Sequence, residues 1–367
     1  MKLRRLTGLL LSLVLLFCTG CSQSAAPRSA PFPTAEEQAL SSPPETPAEA
    51  LSEDEEKETV SNKKTAPAPA QEAFFTLCAY LPVSSMTQGA ATVAEEYAGS
   101  IAALDYLVLN TGAYWDENGA LSLSDELLDA IETLQGKTAL WCTVNPQGAL
   151  IRKGTAGQSI DTPQERQALA QEIAAFAEQY GFAGIDIDWE FPLDDEWEDF
   201  STFLITLKDT LSRNSEPVAL SLALYPEEIA LSEEAIAALD RIHVMAYDQF
   251  DSEGFHSTMQ TAEDAVAYFT ALGASPQQLV LGIPAYGRPL DGSAQWVFYK
   301  DIDPESFSGE NPDLVGDISF NSAATAAQKT QYALEQNLGG VMVYQLLCDR
   351  NDQDALILAC ANMAKNA

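Results

Sequence analysis

A chain of 367 residues with 54 acidic and 19 basic side chains carries a formal charge of −35, and its isoelectric point is about 4.1. That balance leaves nothing to neutralise phosphates in quantity, so nucleic acid is excluded as a partner and a polyanionic substrate is disfavoured. Six cysteines and two histidines, His243 and His256, form no Cys/His cluster at metal-ligand spacing, and no metal or other cofactor is expected.

The N-terminus reads as an export signal. Residues 1–20 set Lys2, Arg4 and Arg5 before an apolar run over 9–17 that is too short to span a bilayer comfortably, and they end on small residues. Cys18-Thr19-Gly20-Cys21 resembles the lipobox of bacterial lipoproteins, with Cys18 where Leu is usual. Cys21 is therefore the expected lipidation site, and the protein is expected outside the cytoplasm, held to the bacterial cell membrane through this N-terminal lipid alone. A plain secreted protein is the alternative. Residues 21–72 are rich in Pro, Ala, Ser and Glu, include the acidic run Glu53-Asp54-Glu55-Glu56, and hold almost no large apolar residue. Such a segment cannot bury enough to fold, and as a flexible tether it would span on the order of 40 Å.

From residue 73 to 367, short apolar runs alternate with helical patterns, the signature of parallel βα units. Strands are predicted over 75–81, 106–110, 138–144, 184–189, 218–224, 243–247, 279–284 and 340–345. Amphipathic helices are predicted between them, among others over 165–180, 197–212, 262–272 and 323–336. Eight such units predict a TIM-type (β/α)8 barrel rather than a doubly wound sheet. Cys78, Cys142, Cys348 and Cys360 are expected as buried free thiols, because three of them lie in apolar strand-like runs.

The informative segment is Gly184-Ile185-Asp186-Ile187-Asp188-Trp189-Glu190. Strand side chains alternate faces, so Asp186, Asp188 and Glu190 point one way and Ile185, Ile187 and Trp189 the other. In a barrel the acids line the interior, with Glu190 at the C-terminal rim where barrel active sites lie. Acids about 6–7 Å apart on an inward face repel one another and resist desolvation, which a purely structural role does not justify in a cation-poor chain. Crowding can instead keep one carboxyl protonated, making Glu190 a general acid. Its obvious partners sit on its own strand, on the same side of any sugar, so the nucleophile is unaccounted for. One solution is that the substrate supplies it through a 2-acetamido group whose N–H is held by Asp188.

Further landmarks follow in order: Met245-Ala246-Tyr247-Asp248, then Gly282-Ile283-Pro284-Ala285-Tyr286-Gly287-Arg288, then Gly339-Gly340-Val341-Met342-Val343-Tyr344. Together with Asp186, Asp188 and Glu190, they resemble glycoside hydrolase family 18, whose fourth strand reads Asp-x-x-Asp-x-Asp-x-Glu and whose sixth carries Met-x-Tyr-Asp. The resemblance covers about residue 74 to the end. It implies a β/α barrel and retaining hydrolysis of β-1,4-linked N-acetylglucosaminyl glycans such as chitin oligomers, peptidoglycan strands or N-glycan cores. It further implies that Glu190 protonates the leaving oxygen, Asp188 orients the acetamide, Asp186 shares a proton with Asp188, and Tyr247 donates to the acetamide oxygen. Tyr344, Asp248, Met245, Tyr80, Tyr286 and Arg288 are the expected substrate-binding residues. Trp115, Trp141 and Trp296 are either sugar platforms or core.

Three departures qualify the resemblance. Ala183 stands where the first Asp belongs; it removes the deepest acid and is expected to shift the proton balance at Asp186. Tyr344 replaces a Trp. The span between Arg288 and Gly340 is too short for a large α+β insertion, which implies a shallow groove. The alternative to an enzyme is a catalytically silent glycan-binding protein of the same fold, against which the retained Glu190 argues.

Overall fold

The computed structural model describes residues 75–116, 119–145, 159–189, 192–303 and 311–367. The signal segment, Cys21, the tether and Glu190 lie outside the described residues. The described residues belong to the unit Ala70–Ala367.

Eight parallel strands close into a barrel: β1 (Thr76–Pro82), β2 (Tyr106–Asn110), β3 (Ala139–Thr143), β4 (Gly184–Ile187), β5 (Ala219–Leu224), β6 (Arg241–Val244), β7 (Leu279–Pro284) and β8 (Gly340–Tyr344). Each pairs with its neighbours in chain order, and β8 returns to β1 through the register Thr76↔Gly340. All eight predicted strands are present, and β2 and β7 keep their predicted bounds. β6 is displaced toward the N-terminus, because Arg241 and Ile242 already pair with Ser221 and Leu222 and the ladder stops before Met245-Ala246-Tyr247-Asp248. β4 is shorter than predicted because the Asp188 N–H turns to a side chain, Asn145 Oδ1 at 2.7 Å, and leaves the ladder.

Period-two alternation divides the barrel into two cores. Leu77, Leu107, Ile185, Leu222, Val244 and Leu281 face outward into the layer under the helices. Each such aliphatic side chain contributes about 1.5–3 kcal/mol by burial. Cys78, Tyr80, Tyr106, Trp141, Val280 and Met342 fill the interior. The helices start and stop at legible signals. In Pro163–Tyr180 the Thr162 side chain accepts from the Glu165 N–H, the Glu165 carboxylate accepts from the Thr162 N–H, and Gly181 ends the helix at φ 71°. That helix packs on Trp197–Leu211 outside β4.

Between β7 and the helix Ala323–Glu335, the described residues form a small antiparallel sheet from Tyr286–Pro289, Val297–Phe298, Leu314–Val315 and Ile318–Ser319. No α+β domain stands there among the described residues. Cys78, Cys142, Cys348 and Cys360 are buried free thiols as expected, but only Cys78 and Cys142 lie in strands; Cys348 lies in a short 3-10 turn and Cys360 in the helix Leu356–Asn366. No helix among the described residues is long and apolar enough to cross a membrane.

Candidate active site

The acidic strand rises from a closed floor. A Cβ on Gly184 would lie 2.2 Å from the Trp141 ring, so the absence of a side chain lets Trp141 lie under the acids, stacked on Tyr106 at 4.2 Å. Ala183 is exposed at the bottom edge, on the opposite face from Asp186. This corrects the expectation that residue 183 is the deepest acid acting on Asp186. The interior position below Asp186 is Gly184.

Asp186 is fully buried, and its hydroxyl donors come from three different strands. Ser221 Oγ donates to Oδ1 at 2.5 Å, Thr143 Oγ1 to Oδ2 at 3.1 Å, and the Tyr80 hydroxyl to Oδ2 at 2.9 Å. His243 Nδ1 stands 3.2 Å from Oδ1 and 2.7 Å from the Tyr80 oxygen, while His243 Nε2 lies 2.9 Å from the Tyr106 hydroxyl. Burial and the nearby carboxylates Asp186 and Asp188 push Tyr80 well above its ordinary range, so its hydroxyl keeps its proton and remains a donor. Asp188, next on the same face, is half-buried at the rim. Its backbone is fixed by Asn145, whose carbonyl oxygen accepts from Trp115 Nε1 at 2.9 Å.

Met245-Ala246-Tyr247-Asp248 lie beyond the end of β6, on the rim. Asp248 adopts φ 59°, and its N–H donates to His256 Nε2 at 2.9 Å. Its carboxylate accepts from the Tyr286 hydroxyl at 2.8 Å and pairs with the Arg288 guanidinium. Burial, with the Lys329 and Arg288 cations adding, holds His256 down to about 3, so it is neutral and carries its hydrogen on Nδ1. Gly282 has the same role on β7 that Gly184 has on β4: a Cβ there would come within 2.9 Å of Tyr247 and 2.4 Å of the Val244 oxygen.

Aromatic rings complete the wall. Tyr344 is half-buried, with ring centroids of Tyr247 and Tyr80 at 5.6 and 5.7 Å. Trp296 stacks on Tyr286 at 3.8 Å and leaves 38% of its surface exposed. The three tryptophans separate accordingly: Trp296 offers a face to solvent, Trp115 is half-buried, and Trp141 is core. Tyr80, expected as a subsite aromatic, presents no face because it is 2% exposed and its hydroxyl is engaged below. Met245, Tyr286 and Arg288 are likewise buried and support Tyr247 and Asp248 from behind. The structure thus brings Asp186, Asp188, Tyr247, Asp248, Tyr286, Arg288 and Tyr344 to one end of the barrel. Thr143, Ser221, Tyr106, His243, Asn145 and His256 join them without having been singled out. A signal existed for the inner ones: each is a polar residue at an interior-parity position of an apolar strand. Among the described residues no cluster of His, Cys, Asp and Glu could hold a metal ion.

Known proteins share parts of this sequence and the barrel fold. Endochitinase 1 of Metarhizium robertsii is 24% identical over 261 residues, 55% of this chain and 60% of that protein. Probable chitinase 2 of Drosophila melanogaster is 27% identical over 175 residues, 42% of this chain and 36% of its own length. The chain therefore spans 60% or less of the length of these curated relatives. Among solved structures, the GH18 chitinase from the chitin utilization locus of Flavobacterium johnsoniae superimposes with TM-score 0.66 at 23% identity, over 80% of this chain and 94% of that one. A GH18 chitinase from Cycas revoluta in complex with (GlcNAc)3 does so with TM-score 0.60 at 21% identity, over 79% and 99%. The profile of the family described as "Glycosyl hydrolases family 18" matches residues 154–349, more than half of the chain, and the chain belongs to that family.

Proposed function

We propose that the protein is a glycosidase that hydrolyses β-1,4-linked N-acetylglucosaminyl glycans by substrate-assisted, retaining catalysis. The observation that carries the proposal is the sealed carboxylate of Asp186, saturated with hydroxyl donors directly beneath Asp188. A buried carboxylate supported in this way can hold or release a proton toward Asp188, which then polarises the acetamide N–H while the acetamide oxygen attacks the anomeric carbon. Tyr247, buried against the Tyr286 and Tyr344 rings, is the proposed donor to that oxygen, and Tyr344 the proposed apolar bed for the reacting ring. Glu190, two residues beyond Asp188, is the proposed acid for the leaving oxygen. The complex of the Cycas revoluta chitinase with (GlcNAc)3 supports the same class of sugar.

The test is release of a fluorophore from chitobiose and chitotriose conjugates, with peptidoglycan and N-glycans as larger substrates. Activity that disappears in Glu190→Gln supports the reading. Inactivity of the unaltered protein on every substrate, with retained glycan binding, would replace it with a silent glycan-binding role. We further propose that Cys21 carries a lipid that holds the exported protein at the membrane. Cys21→Ala should then move it from the membrane fraction to the medium, and an unchanged distribution would refute the anchor.

A further inference from the structure

The interior holds a basic group that the proposed chemistry does not yet use. His243 is fully buried on β6 and lies directly against Asp186. The titratable groups facing it are Asp186, Tyr80 and Tyr106, with Cys78 hydrogen-bonded behind Tyr106 and Trp141 covering one ring face.

The hydrogen count around Tyr80 fixes the direction of the bonds. Its hydroxyl has one hydrogen and two partners within reach, Asp186 Oδ2 at 2.9 Å and His243 Nδ1 at 2.7 Å. If Nδ1 is bare, it competes with Asp186 for that hydrogen, and two acceptors are left facing each other in a sealed space, a costly arrangement. If Nδ1 carries hydrogen, it donates to the Tyr80 oxygen and the Tyr80 hydrogen goes to Asp186. Both distances at the Tyr80 oxygen are then used, and the two bonds polarise each other in one direction. The Nε2 side is satisfied either way, since the Tyr106 hydroxyl can donate or accept at 2.9 Å.

We infer that His243 is a positioning residue whose Nδ1–H, acting through Tyr80, keeps Asp186 an acceptor and so places the proton of the acidic strand on Asp188. The inference rests on the proposed hydrolysis for its consequence, but not for its geometry. Without this donor Asp186 is a buried carboxylate among neutral hydroxyls. It then retains the proton, bonds upward to Asp188, and holds Asp188 away from the acetamide.

Two measurements test this. The first needs no activity: the protein is labelled with 15N-histidine and its ring nitrogens are followed by NMR, with His243→Asn assigning the two histidines. A hydrogen on Nδ1 of His243 is expected, and the tautomer with hydrogen on Nε2 alone would overturn the inference even if hydrolysis is absent. The second compares three variants. Asn sets an amide N–H near the Nδ1 position, Gln sets one near Nε2, and Leu sets none. His243→Leu and His243→Gln should each lose about tenfold in kcat with KM unchanged, equivalent to about 1.4 kcal/mol. His243→Asn should recover most of that loss. Equal losses in Asn and Leu, or a loss carried by KM, would overturn the positioning role, whereas inactivity of the unaltered protein would count against the hydrolase reading alone.

Discussion

Two aspartates in this barrel each lie against a histidine, Asp186 through its carboxylate and Asp248 through its backbone N–H, and their settings are opposite. Asp186 lies in the sealed interior and takes hydroxyl donors from three strands, with an imidazole at its side. Asp248 sits on the rim with 36% of its side chain exposed and takes a full cation, Arg288, together with the Tyr286 hydroxyl. The difference follows from solvation. A guanidinium beside Asp186 would meet a carboxylate with no exposure at all, whereas on the rim water still reaches the Asp248 carboxylate. The interior group is an imidazole, which can exist with or without its extra proton, while an arginine holds its proton throughout. The interior setting therefore uses neutral donors around a buried carboxylate, and the rim setting an ion pair that holds Tyr286 and Arg288 together.

The contrast can be broken at several points. Asp186→Asn removes the interior acceptor at constant shape and should lower kcat about 100-fold with KM within about twofold. A variant with full kcat would show that the interior centre takes no part in the reaction. Arg288→Ala should destabilise the fold by about 2 kcal/mol in urea denaturation, less than a fully buried pair because water reaches Asp248. A loss as large as 4 kcal/mol would mean that the rim behaves like the interior.

Acid should find the rim histidine. His256 is held down to about 3 in the fold against 6.5 in an open chain. Between those values the unfolded chain takes up a proton that the folded one does not. Stability therefore falls as pH drops from about 6.5 to about 3, at up to about 1.4 kcal/mol per unit. His256→Gln, whose amide oxygen can still accept from the Asp248 N–H, should flatten that slope when urea midpoints at pH 6.5 and 4.5 are compared. The smallest effect is expected at Trp296→Ala. Losing an exposed stacking face should raise KM about threefold to tenfold and leave stability nearly unchanged.

The eight strands were legible because their apolar runs are short and separated, and β7 was bounded to the residue by Leu279 and Pro284. The direction of Asp186 and Asp188 followed from parity alone. Parity did not gather Tyr80, Thr143, Ser221 and His243, which come from four strands scattered along the chain and meet only when the barrel closes. Tryptophan type also decides little. Trp141 and Trp296 are chemically equal in the sequence, and only the gap left by Gly184 makes one of them core. Ala183 misled for a related reason: its place in a motif suggested depth, while its odd position along the strand turned it outward.

The slab of Trp141 and Tyr106 beneath Gly184 makes the barrel a vessel stoppered at one end. Protons and water must use the same mouth, so any exchange with solvent at Asp186 passes Asp188 first. The bottom face is thereby walled off from Asp186, and Ala183 there meets solvent instead of the acids.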